Sequence, residues 1–446
     1  REYYQPHMAH APMEPPAAVA SYADGKCEVW GCLQSPYGAR LDIADFLGLG
    51  EEDVKVNVTL LGGGFGRKSK CDFAIEAAYL SKEVGAPVRV QWTREDDIRH
   101  SFYHTTSVER IDIGLDADDK PVAWRHRSAA TSFLSTFAPD EGVQHPIEVG
   151  MGLEDMPFDI PNVRAEQCKA FAHTRVGWYR SVSHIPRAFA VHSITAELAH
   201  ELGRDEKDFL LEMLGPPRKL DWQTVGLQQD FWNHGEPTSE FPFDTGRLRN
   251  VIELAAARGG WGRGLPPGEG LGIAGHRSFV SYIAMVVRVK VDDRGNVTVP
   301  ETHVAIDPER VRSQMQGACV FGMTAAMYSG ITLENGAVQQ SNFHDYDMVR
   351  SSNFPQVVHT HIVEHPFAVH ATGVGEPGVP PFLPALSNAI FNATGKRETA
   401  GASVPAVSFD ATLHLSPSHL LRGSRAGDRA VALDARNKSE HDNWRG

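Results

Sequence analysis

The sequence predicts a mixed α/β protein built as two consecutive domains, and three observations carry that expectation. At 446 residues the chain exceeds the size at which one hydrophobic core usually stops growing. Segments that alternate apolar and polar residues stand beside segments of helical period in both halves. Residues 216–247, rich in Pro, Trp, Gln and Gly and without a sustained period, read as a connection between the halves.

The elements follow in chain order. Cys27-Glu28-Val29-Trp30, after an Asp24-Gly25 turn, reads as a short strand, and Tyr37 to Leu49 as a helix ending at a glycine. Val54, Val56, Val58 and Leu60 alternate with polar residues and run into Gly62-Gly63-Gly64-Phe65-Gly66, after which Phe73 to Val84 has helical period. Val88 to Trp92 reads as a strand, and Arg110 to Leu115 with Pro121 to Arg127 as a hairpin around an Asp-rich turn. Arg187 to Gly203 reads as a helix with Phe189, Ile194, Leu198 and Leu202 on one face and Gly203 as its cap. Glu206 to Leu214 reads as a second helix, stopped by Gly215-Pro216-Pro217. Beyond the connection, Leu248 to Arg258 is predicted helical, and Ile283 to Val291 with Val297 to Val304 form a predicted hairpin around Arg294-Gly295. Val311 to Ser329 reads as a small-residue helix and Leu383 to Ala393 as a helix following a proline run. The expected domains are therefore 1–215 and 248–405. Residues 406–446, with scattered charge and poor period, read as a poorly ordered tail.

Composition removes several classes of function. Hydrophobic content of 41% and charged content of 22% are those of a soluble globular protein. A formal charge of −13, without a cluster of Lys and Arg, argues against nucleic-acid binding. The five cysteines, Cys27, Cys32, Cys71, Cys168 and Cys319, contain no CxxC pair, so the chain encodes neither a zinc knuckle nor an iron–sulfur cluster; the thiols are expected buried and reduced. No apolar run has the length of a membrane span, and the first residues lack the charged and apolar regions of a signal peptide. The start at Arg1-Glu2-Tyr3-Tyr4, without an initiator Met, leads to the expectation that an upstream segment has been removed or left out.

Two motifs carry chemistry. The glycine loop is not a P-loop, because Arg67 stands directly before Lys68-Ser69, and not a dinucleotide fingerprint, because Arg67 occupies the closing glycine position. It retains what such loops share: residues without Cβ let backbone N–H groups approach an anion closely at a helix start. Tight packing of helix on sheet explains the same glycines equally well. The second motif, Ala371-Thr372-Gly373-Val374-Gly375-Glu376-Pro377-Gly378-Val379-Pro380-Pro381, holds one carboxylate on a constrained turn. Such a carboxylate can serve as a general base with a shifted pKa, or can simply face a helix N-terminus.

Together, Gly-Gly-Gly-Phe-Gly after a strand and Gly-Val-Gly-Glu-Pro near the end resemble the large subunit of the xanthine dehydrogenase and aldehyde oxidase family. The resemblance is strongest to the isoquinoline 1-oxidoreductase β-subunit type. It rests on His10-Ala11-Pro12-Met13-Glu14-Pro15, Trp92-Thr93-Arg94-Glu95-Asp96-Asp97, Trp178-Tyr179-Arg180-Ser181-Val182, Gln340-Ser341-Asn342-Phe343-His344-Asp345-Tyr346 and Gly373 to Pro381. It covers about residues 8–397 and implies two molybdopterin-binding domains around a molybdenum–molybdopterin cofactor, in bacteria usually the cytosine dinucleotide. Gly63, Gly64, Phe65 and Gly66 then resemble the loop beside the molybdenum, and Gln34 the glutamine near it. Gln314 resembles a pterin-contacting glutamine, Gly373 and Gly375 flank the cofactor, and Glu376 resembles the catalytic base that removes a proton at the metal centre. Trp178 and Arg180 resemble a loop that borders substrate, although an arginine stacked on an aromatic residue at an interface suits the same positions.

The resemblance further implies a separate small [2Fe–2S] subunit, with a cytochrome c partner after it, and a periplasmic rather than cytoplasmic location. The expected activity is oxidative hydroxylation of an electron-poor carbon in an N-heterocycle, or of an aldehyde. Against the family pattern, the leading hammerhead-type domain is expected to be absent and the stretch between Asp307 and Val311 is shortened. These departures motivate an alternative, a catalytically inactive or cofactor-free scaffold subunit. A zinc hydrolase has only the number of histidines in its favour, without a His-Glu-x-x-His run.

Overall fold

A computed structural model describes residues 1–401, apart from 138, 140, 225, 228–230, 308–311, 365–369 and 371. The tail expected at 406–446 and the shortened stretch at 308–311 thus lie outside the described residues. In the first half the elements are β1 (Glu2–Gln5), β2 (Ala17–Ala23), β3 (Lys26–Gly31), α1 (Pro36–Leu47), β4 (Val54–Val58), α2 (Asp72–Val84), β5 (Val88–Gln91) and α3 (Arg94–Arg99). They continue with β6 (Ser107–Leu115), β7 (Pro121–Ala130), α4 (Pro146–Val149), β8 (Asn162–Cys168), α5 (His184–Glu201) and α6 (Glu206–Leu214). Two four-stranded sheets result, ordered β4-β3-β2-β5 and β1-β6-β7-β8. In the former, β3 and β4 run parallel with α1 as the crossover, and α1 and α2 bury Ile43, Ala44, Phe73 and Ala77 against Ala20, Val29 and Val54. Gly48 and Gly85 end these two helices in the left-handed conformation, which satisfies the last carbonyls.

The second half comprises β9 (Lys219–Leu220), β10 (Phe243–Asp244), α7 (Thr245–Gly259), β11 (Glu269–Ser278), β12 (Ser281–Val291), β13 (Val297–Asp307) and α8 (Arg312–Met327). After these come β14 (Leu333–Glu334), β15 (Ala337–Val338), β16 (Val357–Ile362) and α9 (Phe382–Thr394). The sheet β11-β12-β13-β16 is covered on both faces. Tyr282, Ala284 and Val286 of β12 meet Leu248, Ile252 and Ala255 of α7, whereas Ile283, Met285 and Val287 meet α8 and α9. Burial of both faces is why β12 reads as an unbroken apolar run. The expected connection at 216–247 holds the β9–β10 pair and buries Trp222 and Phe243 in the main core.

Helix α5 joins the halves. It is buried from His184 to Ala199, packed on β1 and β6 on one side and on β11 and α9 on the other, as expected for a helix enclosed all round. All five cysteines are free, and four are buried; Cys168 on the edge strand β8 is exposed, contrary to the expectation that all were buried. No helix among the described residues is long and apolar enough to cross a membrane.

Candidate cofactor and active site

Parallel pairing of β3 and β4 sets the segments after their C-terminal ends side by side, which brings Gln34 to the glycine loop. Gln34 accepts at Oε1 from the Gly66 N–H at 3.0 Å and donates its own N–H to the Lys68 carbonyl at 2.9 Å. Glu14 ties down the other end, accepting at Oε2 from the Gly62 N–H at 2.9 Å and from the buried Lys68 ammonium at 2.6 Å. Between these anchors φ is +93° at Gly63, +56° at Phe65 and +106° at Gly66. At Gly66 a Cβ would also run into the Trp178 carbonyl, so glycine is required there by both conformation and space. The N–H groups of Gly63, Gly64 and Phe65 meet no acceptor among the described residues.

The run from Trp178 to Ser183, entering α5, links this loop to the second half. Arg180 donates its N–H to the Phe65 carbonyl at 2.9 Å and its Nε to the Gly375 carbonyl at 2.7 Å; its Nη2 lies 3.3 Å from Oε1 of Gln314. Ser181 donates its N–H to Oε2 of Glu376 at 2.7 Å and its hydroxyl to the Glu376 carbonyl at 2.7 Å. Ser181 and Val182 both have positive φ, +77° and +45°, a conformation that costs on the order of 1–3 kcal/mol per non-glycine residue and persists only where the surroundings enforce it. Besides Ser181's bonds to Glu376, His104 Nε2 meets the Val182 carbonyl at 3.1 Å and His10 Nε2 meets the Trp178 carbonyl at 2.5 Å. Burial lowers the pKa of His10 to about 3 and of His104 to about 4. Each is therefore a neutral imidazole able to donate to a carbonyl.

Burial raises the pKa of Glu376, while the Ser181 N–H and the Arg180 guanidinium pull it back only in part. A carboxylate so held takes a proton more readily than a free one, as a general base must. Its oxygen faces the Ser181 N–H, two residues ahead of the Ser183 N-cap of α5, and not the N-terminus of α9, which begins later, after Pro381, without a side-chain cap.

Glu376, Arg180, Gln314, Gly375, Phe65, Gly66 and Gln34 are thus brought into one hydrogen-bonded constellation, with Gly64 packed on Gln34. Gly373 accepts at its carbonyl from Ser281 at 2.6 Å, and Gly373 and Gly375 are exposed, with open space within 4 Å of where a Cβ would stand. Trp178 lies to one side, its ring 4.4 Å from Phe133 and 6.1 Å from Phe137, in an aromatic wall that also includes Phe279 and Trp232. Phe321 packs under Phe65 and lies 5.5 Å from the Arg180 guanidinium. Sequence reasoning assigned no roles to Ser181, His10, His104, Glu14 or Lys68. Four of these five fall in or beside runs that carry the family resemblance, and position within such runs was the available signal.

The residues present fit a molybdopterin cofactor. Free N–H donors in the glycine loop, two side-chain amides from different halves and open space over Gly373 and Gly375 together form a cradle of neutral donors suited to an anionic, oxygen-rich group.

Two molybdopterin cofactor-binding domain families match the chain, at residues 1–212 and 256–355. Among curated proteins, the β-subunit of isoquinoline 1-oxidoreductase from Brevundimonas diminuta is 29% identical over 399 residues, 86% of this chain and 47% of that protein. A nicotinate dehydrogenase subunit of Pseudomonas putida is 28% identical over 418 residues, 89% of this chain and 33% of that protein. The chain thus spans about half, or less, of the length of these relatives. Among solved structures, the aldehyde oxidoreductase of Desulfovibrio gigas superposes with a TM-score of 0.72 at 14% identity, over 90% of this chain and 59% of that one, which establishes the shared fold. With two such domains in succession and relatives matching across both, the chain belongs to the molybdopterin-binding large subunits of the xanthine dehydrogenase and aldehyde oxidase family.

Proposed function

We propose that this chain is the catalytic part of a molybdenum hydroxylase. It would introduce oxygen from water at an electron-poor carbon, either in an N-heterocycle such as isoquinoline or in an aldehyde. The observation that carries the reading is the Glu376 carboxylate, held at 2.7 Å by the Ser181 N–H, a bond that joins the two halves of the chain. When bound, molybdenum–molybdopterin, in its cytosine dinucleotide form, supplies the two-electron redox chemistry.

The protein's own groups bind, orient and move a proton. Gly63, Gly64 and Phe65 offer N–H donors to the cofactor, and the amides of Gln34 and Gln314 flank it without adding charge. Arg180 positions the Gly375 carbonyl and lowers the cost of ionising Glu376. Glu376 then accepts a proton at Oε1, the oxygen not taken by Ser181, from the hydroxyl that attacks substrate. Trp178 and the Phe133 wall favour a flat, apolar substrate and exclude water. The five cysteines form no cluster, so in this reading the electrons leave through a separate small [2Fe–2S] subunit; a cytochrome c partner after it and a periplasmic location rest on the family resemblance alone.

The test is molybdenum and pterin content of the complex purified with its partner, followed by turnover of isoquinoline, nicotinate and aromatic aldehydes with an artificial electron acceptor. One molybdenum per chain with turnover supports the reading. Absence of metal and pterin would overturn it in favour of a cofactor-free scaffold.

A further inference from the structure

A cluster unconnected with Glu376 lies on the sheet of the second half, at its edge. The sequences Glu301-Thr302-His303 in β13 and His359-Thr360-His361 in β16 each place two residues with a spacing of two, so both side chains of a pair emerge on one face of the sheet. The strands run parallel, with His303 paired to His359 and Ala305 to His361, which puts all four side chains on the same face. Thr302 and Thr360, at the intervening positions, are buried on the other face.

The geometry brings ligand atoms of Glu301, His303 and His359 within 4.8 Å of one another. Oε1 of Glu301 lies 2.6 Å from Nε2 of His303, and Nδ1 of His303 lies 3.1 Å from Nε2 of His361. The three imidazoles are stacked at interplanar angles of 12–26°. An ion held by His nitrogen and carboxylate oxygen at ~2.1 Å in a tetrahedral arrangement spaces its ligands roughly 3.4 Å apart. Small rotations of these side chains therefore reach that spacing without moving the backbone.

The charges are arranged for it. The two guanidiniums nearest the carboxylate, Arg263 at 3.0 Å and Arg288 at 3.6 Å, both address Oε2 of Glu301 and leave Oε1 to the histidines. Arg288 is also neutralised by Glu269 at 2.6 Å, and Arg312, on the side of His361, donates to the Thr360 carbonyl at 3.0 Å. A carboxylate oxygen grouped with imidazole nitrogens is the donor set that late first-row divalent ions prefer.

We infer that Glu301, His303 and His359 form a structural site for a late first-row divalent cation, Zn²⁺ in the first place, with His361 orienting His303 through its other ring nitrogen. A ligating histidine held by a hydrogen bond at its second nitrogen is the usual arrangement around such ions. The ion would clip the edge strand β16 onto β13.

The test is titration of the full chain with Co²⁺, read by its visible d–d bands, followed by displacement with Zn²⁺ and a Mg²⁺ control. One equivalent with the strong bands of a four-coordinate ion, displaced by Zn²⁺ and not by Mg²⁺, is expected. His359 is exposed, so His359→Ala should fold normally yet lose affinity at least about tenfold, since even loss of an outer-shell partner commonly costs that much. His344→Ala, at an exposed histidine outside the cluster, should bind as wild type. Zn²⁺ should raise the Tm of the wild type and of His344→Ala, but not of His359→Ala. Weak six-coordinate bands, or binding that His359→Ala leaves unchanged, would overturn the site.

Discussion

The Ser181 N–H donates to Oε2 of Glu376 at 2.7 Å, and the Ser181 hydroxyl donates to the Glu376 carbonyl at the same distance. These residues are 195 positions apart, and Ser181 reaches both atoms only because its φ is +77°. A strained residue at the start of the buried helix α5 thus fixes both the main chain and the side chain of the proposed base. The rigid partner holds the carboxylate still, which is what proton transfer at a fixed centre demands.

Glu376→Gln is expected to fold and to retain molybdenum and pterin, because the amide oxygen can still accept from Ser181. Turnover should fall by roughly 10²–10⁴-fold, the usual contribution of a general base. Metal analysis beside steady-state rates checks this; a cofactor-loaded variant with near-native rate would refute the assignment.

The pH profile should show an acid limb assigned to Glu376. The base acts when deprotonated and its pKa is raised by burial, so activity should rise with pH through a value above that of an ordinary glutamate. Arg180→Gln removes the positive charge that favours the ionised form and should move the limb to higher pH. Arg180→Lys, which keeps the charge but not the bond to Gly375, should lower the rate and leave the limb nearly in place. Identical limbs in all three proteins would assign the titration to another group.

At Ser181 the conformational and hydrogen-bonding effects can be separated. Ser181→Ala loses the bond to the Glu376 carbonyl, a cost of about 1 kcal/mol, and retains the positive φ. Ser181→Gly loses the same bond but adopts that φ without penalty, so it should be the more stable variant by about 1 kcal/mol. Denaturant midpoints of the two proteins decide it, and the reverse order would mean that the left-handed backbone is not maintained in solution.

Gly66→Ala and Gly375→Ala should behave oppositely. The first meets the Trp178 carbonyl at a φ of +106°, and should cost a few kcal/mol of stability, on the order seen for overpacked or strained positions. The second meets nothing within 4 Å, so stability should stay within about 0.5 kcal/mol, while cofactor content drops because the new methyl enters the cradle. Thermal melts and pterin assays on both variants test this. Full cofactor occupancy in Gly375→Ala would place the cofactor elsewhere.

The sequence by itself determined those elements whose pattern is local. Helices Asp72–Val84 and Glu206–Leu214 carry their own period and their own stop at Gly85 and at Gly215-Pro216. The β12–β13 hairpin announces itself by apolar residues around Arg294-Gly295. The glycine loop and Glu376 were legible as unusual local chemistry, and the resemblance gave them a shared destination. Strand β11 was not legible, because Gly270, Gly272 and Gly275 weaken any strand signal. They are there because the α9 backbone at Ala385 and Ala389, and Ile252 of α7, press directly on the strand. The same holds for β16, whose histidines read as a polar connection until β13 pairs with it. Nor could the sequence join Ser181 to Glu376 or His104 to Val182, since propensity and period describe neighbours a few residues apart. Only the packing of α5 between the two halves decides which distant groups meet, and it is there that Ser181 takes the backbone conformation that no local preference would select.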